Sequence, residues 1–209
     1  MSRVKVCGLT DAGNARQVAD AGADFAGFIF YPQSKRFVGV NPHMDLFMNI
    51  PSHVKKVGVF VNEKKEKIVE IVRKYQLDLV QLHGSEPAGF CSDLRSVGVP
   101  VMKAFGIGEE FDFNRVSGYK DTCDYFLFDT QTMLHGGSGI KFRWERLEEY
   151  ELATHFFLGG GIGPLDVQKV RNINHPGFFA ADINSRFETT PGLKNIDIVK
   201  TFIQHFKYS

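Results

Sequence analysis

Cys7 closes the first apolar run of this chain and Asp129 closes the sixth. Residues far apart in sequence meet wherever parallel strands gather their C-terminal ends on one face, so a thiol and a carboxyl there can serve as base and acid. Their types suggest a reaction that moves protons. Taken singly, each also has an ordinary reading. Most free cysteines are small buried hydrophobes, and Asp129 beside Thr130 can cap or turn the chain. Gln81 and His83 alternate on the fourth run and can face the same side. Arg36 follows the second run, and its planar fork suits a carboxylate. Glycine concentrates at Gly159, Gly160, Gly161 and Gly163 after the seventh run. There the backbone can approach a phosphate closely, with N–H groups facing the anion. His83 has no second histidine or carboxylate at ligand spacing, so no metal is expected.

Strand-like and helix-like patterns alternate through the chain. Apolar runs cover residues 4–7, 25–31, 56–61, 77–82, 99–105, 125–128, 155–158 and 178–183. They are too continuous for half-exposed strands and suit a parallel sheet covered by helices. Helical periodicity falls at 11–21, with Thr10 as its N-cap, and at 63–75, 87–97, 144–150, 164–172 and 196–206. Weaker helical patterns fill 41–50 and 109–118. Eight strand–helix units predict a closed (βα)8 TIM barrel of α/β class, one domain over 1–209. A doubly wound sheet would carry a glycine-rich turn after its first strand. Cys7-Gly8-Leu9-Thr10 has one glycine. In such a barrel the loops after strands seven and eight often bind phosphate, which is where the glycine run falls.

Composition narrows the partners. The 209 residues carry a net charge of +1 and 43% hydrophobic residues, without a basic stripe for nucleic acid. No apolar run approaches the ~20 residues that cross a bilayer. The first residues enter a strand without a secretory h-region, and three unpatterned cysteines suit a reducing compartment, so a cytoplasmic location is expected. Cys91 and Cys123 read as buried and inert.

The blocks Lys5-Val6-Cys7-Gly8-Leu9-Thr10, Gly27-Phe28-Ile29-Phe30-Tyr31-Pro32-Gln33-Ser34-Lys35-Arg36, Val57-Gly58-Val59-Phe60-Val61-Asn62 and Val80-Gln81-Leu82-His83-Gly84 resemble phosphoribosylanthranilate isomerase of tryptophan biosynthesis. Phe128-Asp129, Gly136-Gly137-Ser138-Gly139, Phe142 to Trp144, Gly159 to Gly161 and Pro191-Gly192-Leu193-Lys194 extend the similarity. The resemblance implies a cofactor-free Amadori rearrangement of N-(5-phosphoribosyl)anthranilate, by a monomer or homodimer. It implies Asp129 as general acid and Cys7 as general base, with Arg36 against the anthranilate carboxyl and Gln81 and His83 at the substrate. Gly160, Gly161, Asn184, Ser185 and Arg186 would hold the phosphate.

Two positions depart from the family pattern. Asn184 and Arg186 stand where Ser and Gly are usual, so Arg186 either crowds the phosphate or adds charge to it. Arg143 replaces a common Asp before Trp144, a change expected to be structural. Residues 133–139 read as a mobile active-site loop.

The chemistry asks a carboxyl to hold a proton and a thiol to lose one, the reverse of free side chains at ~3.9 and ~8.5. Desolvation acts on the first and nearby cations on the second, and Lys5, two residues before Cys7 on the same strand face, is a candidate cation. Two rivals stay open at this point. A Schiff-base aldolase would use Lys5 or Lys103 as nucleophile. A non-catalytic sugar-phosphate-binding barrel would not need Cys7 at all.

Overall fold

The eight apolar runs form eight parallel strands: β1 (Arg3–Val6), β2 (Phe25–Ile29), β3 (Lys55–Phe60), β4 (Leu79–Leu82), β5 (Val101–Ile107), β6 (Tyr125–Thr130), β7 (Phe156–Leu158) and β8 (Phe178–Ile183). They pair in sequence order, and β8 returns to β1 to close a barrel. The computed structural model describes residues 3–130 and 143–208. The loop expected at 133–139 lies outside the described residues.

Side chains alternate across each strand, so the continuous runs bury both faces. Phe25, Val57, Leu79, Met102, Leu127, Phe157 and Ala180 fill the barrel interior. Their neighbours Val4, Val6, Ala26, Phe28, Val80, Leu82, Phe126, Phe128, Phe156 and Leu158 belong to the outer layer under the helices. Rings tie the interior together. Phe157 meets Phe25 edge-on at 5.0 Å and Tyr125 at 5.4 Å.

Helices α1 (Ala12–Asp20), α2 (Asp45–Met48), α3 (Lys65–Tyr75), α4 (Ala88–Ser96), α5 (Val167–Arg171) and α6 (Ile196–Tyr208) cover the barrel. The amphipathic patterns at 63–75, 87–97 and 196–206 match α3, α4 and α6 closely. Elsewhere the structure corrects the expectation. The pattern at 41–50 yields one turn, α2, while 109–118 and 144–150 tighten into 3-10 turns at Phe113–Tyr119 and Trp144–Glu149. A 3-10 turn, Pro164–Asp166, also precedes α5. Short segments gain too few i to i−4 hydrogen bonds to offset nucleation, so tertiary packing sets their form.

Asp11, not Thr10, caps α1, through its side chain to the Asn14 N–H. Thr10 instead donates its hydroxyl to the Gly192 carbonyl, 182 residues away.

At the opposite end from the strand C-termini, three aspartates repeat one device. Asp24, Asp78 and Asp124, each at the entry of an even-numbered strand, accept the backbone N–H of Val4, Lys56 and Val101 at 2.7–2.8 Å. Each satisfies a donor at the start of the preceding strand, a stabilising task suited to that face.

Phe157→Ala should lower the unfolding free energy by about 3–5 kcal/mol in urea titration, because the interior cannot collapse onto the missing ring. A loss below about 1 kcal/mol would show the interior to be loosely packed.

Candidate active site

The C-terminal ends of the strands surround a cavity of about 1090 Å³. Nine of the ten residues expected at a site line it: Cys7, Arg36, Gln81, His83, Asp129, Gly160, Gly161, Asn184 and Ser185. Arg186 does not, although it lies near. It is exposed, and its Cβ and Cγ lie 3.9 Å from where a side chain on Gly163 would begin.

Cys7 follows directly on β1, tied by its N–H to the Ile183 carbonyl at 2.9 Å. Gly27 on the neighbouring strand gives the thiol its room. A Cβ at Gly27 would stand 2.9 Å from Cys7 Sγ and 3.0 Å from its Cα. Burial pushes the Cys7 thiol up; Lys5 pulls it down, Asp182 adds to the rise, Lys194 opposes it, and burial prevails. Lys5 does act on Cys7 as the sequence suggested, but its ammonium also contacts both Asp182 oxygens at 2.9 Å. Much of its charge is therefore cancelled. Burial works against the Lys5 ammonium, while Asp182 and then Cys7 more than offset this and keep it charged. Burial therefore favours the neutral form of the thiol.

Asp129 and His83 form the opposite wall. His83 Nε2 lies 3.5 Å from Asp129 Oδ2, and His83 Nδ1 lies 2.7 Å from Gln81 Nε2. If the Gln81 amide donates there, the ring carries its proton on Nε2, facing Asp129. Gln81 is buried, and among the described residues its Oε1 has no hydrogen-bond partner. The other Asp129 oxygen, Oδ1, accepts the Thr130 N–H at 2.8 Å.

The glycine run after β7 has the conformation that its composition suggested. Gly160 and Gly161 have φ of +85° and +75°, and a side chain on Gly160 would collide with Thr130. Only glycine fits there.

Sequence reasoning missed a short hairpin after β8, β9 (Glu188–Thr190) and β10 (Leu193–Lys194), and the charges that it carries. Arg36 is bound bidentately by Glu188, Nε to Oε1 at 2.7 Å and Nη2 to Oε2 at 2.6 Å. Lys194 donates to the same Oε1 at 2.7 Å and to Asn184 Oδ1 at 2.7 Å. Burial alone would raise Glu188, but these two cations and the Gly192 N–H hold its carboxyl at about 2. The signal available in sequence was the Pro-Gly-Leu-Lys block, which gave no hint of its partner. Cys91 and Cys123, expected to be buried and inert, are both buried and lie outside the cavity lining.

The two strand lysines are both spent. Lys103 donates to Glu86 Oε2 at 3.1 Å and to the carbonyls of Leu82, Gly84 and Ala104. Among the described residues, no cluster of His, Cys, Asp and Glu is arranged to hold a metal ion, and no helix is long and apolar enough to cross a membrane.

A family model described as N-(5'-phosphoribosyl)anthranilate (PRA) isomerase matches residues 4–205. The chain is 44% identical over 202 residues to the N-(5'-phosphoribosyl)anthranilate isomerase of Parabacteroides distasonis, covering 96% of this chain and 91% of that one. The enzyme of Phocaeicola vulgatus is 40% identical, covering 98% and 97%. Among solved structures, phosphoribosyl anthranilate isomerase from Thermotoga maritima superposes with a TM-score of 0.87 at 37% identity, covering 99% of both chains. A complex of that type of enzyme with reduced 1-(o-carboxyphenylamino)-1-deoxyribulose 5-phosphate gives 0.84 at 34% identity, again covering 99% of both.

Two outcomes check this geometry. Gly27→Ala should overpack the thiol, with a cost of about 1–3 kcal/mol or a displaced sulfur, and turnover should fall while the barrel still folds. Alkylation of Cys7 in the unliganded protein should keep accelerating as pH rises beyond ~8.5, where ordinary thiols level off. A plateau at lower pH would contradict the dominance of burial.

Proposed function

The chain belongs to the N-(5'-phosphoribosyl)anthranilate isomerase family and is the isomerase of tryptophan biosynthesis that converts N-(5-phosphoribosyl)anthranilate to 1-(2-carboxyphenylamino)-1-deoxyribulose 5-phosphate, and we propose that Asp129 is its general acid and Cys7 its general base. The observation that carries the assignment is that these two groups, from β6 and from the end of β1, line one cavity at the strand C-termini.

Asp129 gives its proton to the ribose ring oxygen. The bond from that oxygen to C1 breaks, and the nitrogen lone pair forms the C1=N bond of a cationic Schiff base. Cys7 then takes the proton from C2, so the C2–H electrons become a C1=C2 bond and the C=N electrons return to nitrogen. The resulting enol gives up its hydroxyl proton as C1 gains one, which restores both acid and base. The iminium charge arrives beside the sulfur and adds to the pull of Lys5 and Lys194. This offsets the burial that favours the neutral thiol, so Cys7 releases its own proton to solvent as the cation forms and takes the C2 proton as the thiolate.

Arg36 receives the anthranilate carboxylate, and Gln81 and His83 border the ring and amine. The phosphate sits on Gly160, Gly161, Asn184 and Ser185, with Arg186 adding charge from the rim. The chain acts in the cytoplasm, as its three free, buried cysteines suit, on a diffusible substrate, as a monomer or homodimer. One related protein, from Thermotoga maritima, is described as dimeric.

The aldolase alternative has little support. Lys5 Nζ is held by Asp182, and Lys103 Nζ by Glu86 and by the carbonyls of Leu82, Gly84 and Ala104, so both nitrogens are already engaged by the protein.

Cys7→Ala and Asp129→Asn should each lower kcat by about 10²–10⁴-fold in a fluorescence assay of substrate consumption, with circular dichroism unchanged. Full turnover in either variant would remove that residue from the chemistry.

A further inference from the structure

Resting on the reading of Arg36 as the carboxylate receptor, we propose that Glu188 is a positioning residue which fixes the Arg36 guanidinium so that Nη1 faces the substrate's carboxylate. Arg36 comes from the loop after β2, and its stem crosses Gly8. A Cβ there would meet Arg36 Cδ at 2.5 Å and Asn184 Oδ1 at 2.8 Å, and φ at Gly8 is +77°. Among the described residues its own loop bonds only its backbone N–H, through Ser34, and not the fork. Glu188 orients the fork from the far side of the barrel seam, taking Nε and Nη2 at 2.7 and 2.6 Å. Two parallel charge-assisted bonds fix the guanidinium plane as a single bond would not. Among the described residues the remaining nitrogen, Nη1, has no hydrogen-bond partner, and it is left to the ligand.

Glu188 is itself held. Its side chain is 5% exposed, and Oε1 also accepts Lys194 Nζ at 2.7 Å and the Gly192 N–H at 3.1 Å. A carboxylate between two cations leaves the group with a net charge of +1 at the cavity edge. It orients Arg36 without neutralising the site's attraction for an anion. Lys194 is 2% exposed and anchored on Asn184, so the carboxylate is not free to swing toward the cavity and compete with the substrate.

The test compares binding of two ligands by calorimetry: reduced 1-(o-carboxyphenylamino)-1-deoxyribulose 5-phosphate, and the same compound with phenyl in place of carboxyphenyl. Glu188→Gln should weaken the carboxylated ligand by at least about tenfold, the worth of a charged hydrogen bond, and change the phenyl ligand by far less. In turnover, KM should rise more than kcat falls. Glu188→Asp, which keeps the charge but withdraws it by one methylene, should act in the same direction and serves if the Gln variant does not fold. Equal weakening of both ligands, or tighter binding of the carboxylated one, would overturn the proposal. Arg36→Gln separates the two layers. If it fails to erase the preference for the carboxylated ligand, the reading of Arg36 falls. If it erases the preference while Glu188→Gln leaves it intact, only the role of Glu188 falls.

Discussion

Closure of the barrel between β1 and β8 is the constraint on which the site depends. The register runs from Arg3 opposite Ala180 to Val6 opposite Ile183. It places the first strand beside the last, so Lys5 lies against Asp182 and the end of β1 beside the loop that follows β8. The Lys5–Asp182 pair is the polar signature of this seam. Both groups are taken from water, and burial raises the Asp182 carboxyl while Lys5 pulls it back. Removing one partner from such a pair leaves an uncompensated charge and costs about 3–5 kcal/mol.

The side chains expected to do chemistry gather at the upper end of the barrel. Below, Phe25, Phe157 and Tyr125 fill the interior, and aspartates secure the strand starts. Above, side chains at the same period of two become Cys7, Gln81 and Asp129. One face therefore carries stability and the other chemistry, a division that the parallel strands impose by pointing the same way.

Charge in the site is arranged in compensated groups. Lys5 with Asp182, and Arg36 and Lys194 with Glu188, place three cations near the thiol while two carboxylates limit their field. Burial thus favours the neutral sulfur, and the three cations outnumber the two carboxylates that pair with them.

Alternating apolar runs gave away the eight strands, and strong amphipathic patterns located α3, α4 and α6, because burial of one helix face and both sheet faces is written in residue order. The strand-end positions of Cys7, Gln81, His83 and Asp129 followed from the same period, and the glycine run of residues 159–163 falls where the chain turns with positive φ at Gly160 and Gly161. The short helices did not follow, since segments such as 41–50 take their form from packing and not from their own hydrogen bonds. Nor did the cap of α1, decided by a contact between Thr10 and Gly192. Sequence determined which residues end the strands; only the fold decided which of them meet. Lys5 with Asp182, and Arg36 with Glu188, are 177 and 152 residues apart. Local pattern says nothing across such separations, and a charge finds its partner only when the closed sheet brings both out of water together.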